Sequence, residues 1–376
     1  MSLPTLAAVM MLRNEEHNID RCLSSIRNLV DDIIVVDTGS IDRTVKKCRE
    51  YGSIVYPSLM NWKKPPIFDF SCARNEGLNY AQDLNFDWIC IIDADEELQD
   101  IGITPDQFKQ RLSQTLPQVH ALGCQVHERK NDEFIISWWG TRFFKVKKGV
   151  FYDGICHNRP KLINGYAAGT NIVLYHYGYS DLSIMDSKRH RTLTLLNKRI
   201  DADPDDYGAW YYKALTLFGM DQYDDAIDTG IHAIELIGSK IDYDYNRLNY
   251  FGALYYAIGW GYFRKWQLTQ NQEFATKAYQ WWITGYDKWP EDIDLNFWLC
   301  NIGYLGNSSE MVQLHGNSYL KSIEKYTVET ALPMDKFVNS YNMNDMAIGP
   351  RHIHTASKKH EQAVRSMIHD MERKAA

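Results

Sequence analysis

Three carboxylates at the ends of apolar runs carry the most readable chemistry of this chain. Trp88-Ile89-Cys90-Ile91-Ile92 leads straight into Asp93-Ala94-Asp95, and Ile33-Ile34-Val35-Val36 leads into Asp37. An uninterrupted apolar run of this length marks a strand buried on both faces. A carboxylate just beyond it stands at the carboxyl edge of the sheet, where open α/β folds bind their ligands. Two oxygen donors one residue apart suit a hard divalent cation carrying a diphosphate. A solvated acidic turn is the plainer alternative, because Glu96 and Glu97 follow directly.

The elements that must position these groups alternate. Thr5 to Leu12 reads as a strand. Asn14-Glu15-Glu16 opens a helix running to about Leu29, with Ile19, Cys22, Leu23 and Ile26 at helical spacing. Asp32 to Asp37 is a second strand, and Thr38-Gly39-Ser40-Ile41-Asp42-Arg43-Thr44 supplies a turn and a helix cap. A helix to about Tyr51, a short strand from Ser53 to Tyr56 and the strand Trp88 to Ile92 follow. Strands separated by helices predict a parallel sheet with right-handed crossovers. Asp37, Asp93 and Asp95 then share one edge, an arrangement suited to a nucleotide with one carboxylate on the base or ribose and another on a metal.

Composition narrows the class. At 376 residues, two domains are the natural division. A net charge of −7 argues against a protein that coats nucleic acid. The seven cysteines (22, 48, 72, 90, 124, 156 and 300) form no C-x-x-C pair, which predicts reduced thiols and a cytoplasmic location. The apolar run Leu6 to Leu12 is too short to span a bilayer, and no transmembrane segment or signal peptide is expected.

Four ordered blocks resemble the family 2 glycosyltransferases of GT-A fold. They are Met11-Leu12-Arg13-Asn14-Glu15-Glu16; Ile33 to Thr44; Asp69-Phe70-Ser71-Cys72-Ala73-Arg74-Asn75; and Trp88 to Glu96. The branch most similar contains lipopolysaccharide-core glucosyltransferases and sublancin-type peptide S-glycosyltransferases, which add tetratricopeptide-like helices. The resemblance implies a Rossmann-like, mainly parallel mixed sheet. It also implies a nucleotide-sugar donor, with uracil the expected base, and Mn2+ or Mg2+ as cofactor. It places Leu12, Arg13, Asn14, Glu15, Asp37, Ser40, Arg74, Asp93 and Ala94 along the donor, with Asp37 on the base. Arg74 reads as a diphosphate contact or, alternatively, as a salt-bridge partner of Asp93. Asp95 is the implied metal ligand. His157, in the block Gly149 to Asn158, is implied as a further one, although Asn158 stands where the family usually has glutamate.

Family 2 enzymes invert the anomeric centre in one displacement, so a carboxylate must take the proton of the acceptor nucleophile. Glu128, after the apparent strand Ala121 to Val126, is the first candidate, followed by Asp153 and Glu133. Trp138 and Trp139 read either as an apolar platform beneath a sugar ring or as core.

Near Asp181 the chain changes character. Trp210, Ala226 and Ala233 fit one tetratricopeptide unit, with Pro204 where the preceding unit's closing proline would be, and Ala278, Trp282 and Pro290 fit part of another. The division expected is a GT-A domain over 1–180, an all-α tetratricopeptide-like domain over 181–345 and a polar, charged C-terminal helix within 346–376. His352 and His354 read as surface residues. The helical part would hold a macromolecular acceptor (glycan, peptide or, less favoured, DNA) or form a homodimer. A sugar-nucleotide-binding scaffold without catalysis, and a transferase acting on modified DNA bases, are the competing readings.

Overall fold

The computed structural model describes residues 2–60, 69–130, 133–177, 182–240, 252–327 and 358–375. The chain divides into two compact units, the first made mainly of residues 1–134 and 138–180 and the second mainly of 181–329 and 347–376.

The first unit opens with β1 (Leu6–Leu12), α1 (Ile19–Ile26), β2 (Asp32–Asp37), α2 (Thr44–Glu50), β3 (Ile54–Pro57), α3 (Phe70–Asp83) and β4 (Trp88–Ile91). It continues with β5 (Glu96–Leu98), α4 (Pro105–Ser113), β6 (Val119–Lys130), β7 (Glu133–Lys145), β8 (Val150–Asp153), β9 (Arg159–Leu162) and β10 (Tyr166–His176). Eight strands form one sheet in the order β3-β2-β1-β4-β7-β6-β10-β5, while β8 and β9 form a separate hairpin. The β1–β2, β2–β3, β1–β4 and β6–β10 pairs are parallel, and β4–β7 and β10–β5 are antiparallel. This is the mixed, mainly parallel sheet expected. Leu12 lies opposite Asp37 in the β1–β2 register, so both strands end together.

The apolar runs are buried on both faces as expected: every residue of Ile33–Val36 and Trp88–Ile92 is nearly inaccessible. Removing such side chains from water contributes about 1.5–3 kcal/mol each. One face packs on α1 through Ile19, Cys22, Leu23 and Ile26. The other packs on α3, which comes so close that a Cβ on Gly77 would lie 2.5 Å from Val9.

The helix expected from Asn14 to Leu29 is shorter, Ile19–Ile26. Asn14 sits at φ +55°, in the left-handed region that asparagine tolerates, so the chain turns before the helix can start.

The second unit contains α5 (Leu182–Ala202), α6 (Tyr207–Gly219), α7 (Tyr223–Lys240), α8 (Gly252–Thr269), α9 (Gln272–Lys288), α10 (Ile293–Leu305), α11 (Ser309–Thr327) and α12 (Lys358–Ala375). Ala226 and Ala233 are buried, and Trp210 Nε1 donates to the carbonyl of Pro204 at 2.8 Å. Ala278 and Trp282 are buried in one core with Ala233, where Trp282 Nε1 donates to the carbonyl of Tyr256 at 3.2 Å. Of the aromatics of α8, Tyr255 and Tyr256 are buried in this core, and the partly exposed Trp260, Tyr262 and Phe263 pack against it. The last helix is not polar all round: Val364, Met367 and Met371 join Val312 and Tyr319 of α11 in one cluster. His352 and His354 lie outside the described residues. Among the described residues, no helix is long and apolar enough to cross a membrane.

Candidate active site at the carboxyl edge of the sheet

Two loops at the ends of β1 and β2 lock each other. The Asn14 N–H donates to Ser40 Oγ (3.0 Å), and Asn14 Oδ1 accepts from the N–H of Ile41 (2.8 Å). The Glu15 N–H donates to Thr44 Oγ1 (2.7 Å), and the Arg43 N–H donates to Glu16 Oε2 (2.9 Å). Thr38 donates both N–H and hydroxyl to the Leu12 carbonyl, each at 3.0 Å. The half-buried Asp37 carboxylate accepts the Ser40 N–H at 3.0 Å, which folds the loop back over the strand end. Gly39 makes that turn at φ +103°, where other residues are strained. Leu12, Arg13, Asn14, Glu15, Asp37 and Ser40 therefore meet in one place, with Arg13 exposed.

The second cluster follows β4. Asp69 caps α3 by accepting the N–H groups of Ser71 (2.9 Å) and Cys72 (3.1 Å), and α3 then presents Arg74. Arg74 Nη2 donates to both oxygens of Asp93, at 2.9 and 3.1 Å. Burial pushes the Asp93 carboxyl up, but Arg74, Arg142 and His176 outweigh it and hold it below the usual carboxylate range. The salt-bridge alternative for Arg74 is thus the contact present. Asn75, beside it, clasps the hairpin: its side chain donates to the Tyr152 carbonyl (2.9 Å) and accepts the Tyr152 N–H (2.7 Å).

Glu96 is not part of a solvated acidic turn. It is 1% exposed and paired with Arg142 of β7, and its Oε2 accepts the Asp93 N–H at 3.0 Å. Burial pushes its carboxyl up to about 7 against the pull of Arg142. Glu97 accepts from the Tyr177 hydroxyl at 2.8 Å. Ala94 is buried, and Asp95 is left half-buried at the mouth.

The imidazole nearest Asp95 belongs to His176, whose Nε2 lies 3.6 Å from Asp95 Oδ2. The sequence reading overlooked it. Its signal was like that of Asp37, a polar residue ending the stretch Ile172-Val173-Leu174-Tyr175. His157 is exposed, at φ +48°, in the connection between β8 and β9. Glu128 lies directly across from His176 in the β6–β10 register. Burial raises its carboxyl, and His176 offsets part of that rise. Asp153 is exposed, opposite Arg159 in the β8–β9 hairpin. The side chains of Glu133, Trp138 and Trp139 lie outside the described residues.

Among the described residues, no group of three or more His, Cys, Asp or Glu side chains is placed to hold a metal. Asp95 and His176 offer one carboxylate and one imidazole. That sparse set fits a divalent cation that takes its remaining ligands from phosphate oxygens and water.

Residues 7–159 match the family model for glycosyl transferase family 2. The SPbeta prophage-derived glycosyltransferase SunS of Bacillus subtilis is 25% identical over 237 residues, which is 60% of this chain and 52% of that protein. A TPR repeat-containing protein of Synechococcus elongatus is 38% identical over 97 residues, 26% of this chain and 22% of that protein. The chain thus spans about half, or less, of the length of these relatives. A solved glucosyl-3-phosphoglycerate synthase of Mycobacterium tuberculosis, in complex with Mn2+, uridine diphosphate and glucosyl-3-phosphoglycerate, overlays with a TM-score of 0.30 at 17% identity. The overlay covers 52% of this chain and 79% of that one. Asp37, Arg74, Asp93, Asp95, Glu128 and Arg142 all fall inside residues 7–159, the stretch that matches the glycosyl transferase family 2 model.

Proposed function

We propose that the chain is an inverting, divalent-metal-dependent glycosyltransferase that moves a sugar from a nucleotide donor to a macromolecular acceptor. The observation carrying this reading is the Asp93-Ala94-Asp95 turn, standing beside the Asp37–Ser40 loop at one sheet edge within the family 2 stretch. Asp37, Ser40 and the backbone of Leu12 to Asn14 form the cradle for the base, for which uracil is the first choice. Asp93, held by Arg74, faces the ribose side. Asp95 is the metal ligand, with His176 beside it and His157 as the alternative imidazole. A bound Mn2+ or Mg2+ supplies charge compensation for the departing nucleoside diphosphate.

Glu128 is our choice for the base that takes the acceptor's proton. Adjacent strands lie about 4.8 Å apart, so Glu128 is one strand from His176, which itself borders Asp95. Burial raises its carboxyl, in the direction that favours a general base, whereas Asp153 is exposed on the separate β8–β9 hairpin. The relative SunS carries a glycosyltransferase name, and the tetratricopeptide-like second unit is a natural platform for a peptide or glycan acceptor or for a second copy of the chain.

The test is slow donor hydrolysis. The protein is incubated with Mn2+ and a panel of UDP-, GDP-, CMP- and dTDP-sugars, without acceptor. Release of UDP from at least one UDP-sugar is expected. Binding of a nucleotide sugar without any hydrolysis leaves the non-catalytic scaffold reading in its place, and neither binding nor hydrolysis of any donor contradicts both.

A further inference from the structure

Asp93 and Asp95 sit on a buried arrangement of charge that donor chemistry does not require. Arg74 and Asp93 form one pair and Arg142 and Glu96 another. The arginine side chains are 12% and 15% exposed, and Glu96 is 1% exposed. The two pairs match each carboxylate with a guanidinium, whereas the Asp95 carboxylate faces the imidazole of His176 instead. Glu96 does more than neutralise Arg142. Its second oxygen takes the main-chain N–H of Asp93 at 3.0 Å, while the Glu96 N–H donates to the Asp93 carbonyl at 3.0 Å. Cys22 Sγ also approaches that carbonyl at 3.4 Å.

We propose that Glu96 and Arg142 are positioning residues: Arg142 on β7 orients Glu96, and Glu96 fixes the backbone of the Asp93-Ala94-Asp95 turn so that the Asp95 carboxylate faces the cation site. The assignment rests on the functional reading above. A buried pair can often be exchanged for apolar residues of similar volume without loss of stability, so fold support alone does not require these charges. A short backbone loop without an acceptor for its buried N–H, in contrast, relaxes to find one.

Two double variants separate these roles. Glu96→Met/Arg142→Met removes both charges and the acceptor for the Asp93 N–H. Glu96→Gln/Arg142→Gln removes the charges but keeps an amide oxygen at 96 and an amide N–H donor at 142 to orient it. The readout is calorimetric binding of UDP in MnCl2, beside circular dichroism and melting temperature. The Met pair is expected to melt like the wild type and bind UDP at least roughly tenfold more weakly, with the Gln pair within about threefold of wild type. Equal binding by the Met pair overturns the assignment, as does an equal loss in both pairs. Should the Met pair fail to fold, the Gln pair decides alone: binding within about threefold supports the assignment, and a loss of about tenfold overturns it. Wild-type protein that binds neither Mn2+ nor UDP removes the functional reading itself, and this assignment with it.

Discussion

Replacing Arg74 by methionine keeps an unbranched stem near Tyr152, over whose ring the guanidinium lies at 5.3 Å, and removes the charge facing Asp93. The Asp93 carboxylate is then left beside Glu96 and Asp95 with its direct partner gone. Breaking a buried ion pair from one side costs about 3–5 kcal/mol. Asp93 keeps 31% of its side chain in solvent, which sets the expectation at the lower end, about 3 kcal/mol. In a unit of this size each kcal/mol moves the melting temperature by about 2–4 °C, so the drop should be about 6–12 °C. Differential scanning calorimetry at pH 7.5 measures it, with Arg74→Met/Asp93→Asn as the control that removes the stranded charge and should recover at least half the loss. The pair's pH dependence has a definite sign. Asp93 is held below its ordinary range, so the stability it brings is complete above the unfolded carboxylate pKa of about 4 and is lost as pH falls through the folded value. The gap between wild type and Arg74→Met therefore narrows in acid. A melting shift of under about 2 °C at pH 7.5, or no recovery in the double variant, refutes the reasoning.

Three further outcomes follow from the same geometry. Asn75→Ala removes both hydrogen bonds to the Tyr152 backbone and should cost about 1–3 kcal/mol, with faster amide exchange at Tyr152; unchanged exchange contradicts the clasp. Gly39→Ala meets no neighbouring atom but must hold φ +103°, so it should cost about 1–3 kcal/mol through backbone strain alone and weaken UDP binding. Because burial raises the Glu128 carboxyl, kcat/KM should rise with pH through a value above the ordinary glutamate range, and Glu128→Gln should abolish that limb. An unchanged acidic limb in Glu128→Gln moves the base elsewhere.

The strands were legible because each is a continuous apolar run ending in a polar residue, and burial on both faces demands that pattern. The loop after β2 was legible for a related reason: glycine and serine at a strand end signal a tight turn. The first helix was placed too early because Asn14 satisfies the rule for a helix start equally well in the left-handed conformation it adopts. Glu96 was read as solvated because its partner, Arg142, is 46 residues away and nothing local marks the pair. His176 escaped notice because its place beside Asp95 depends on β5 pairing with β10, a long-range antiparallel contact. The C-terminal helix looked polar by composition, yet Val364, Met367 and Met371 recur at helical spacing and are enough to bury one face.

The central claim is that the Asp93-Ala94-Asp95 edge holds a divalent cation and the diphosphate of a nucleotide sugar. Calorimetric titration of UDP into wild type and Asp95→Ala, each with and without MnCl2, tests it most directly. The account predicts that Mn2+ tightens UDP binding to the wild type at least roughly tenfold and has no effect on a folded Asp95→Ala protein. UDP binding indifferent to Mn2+ in the wild type, or the same Mn2+ effect in both proteins, would contradict it.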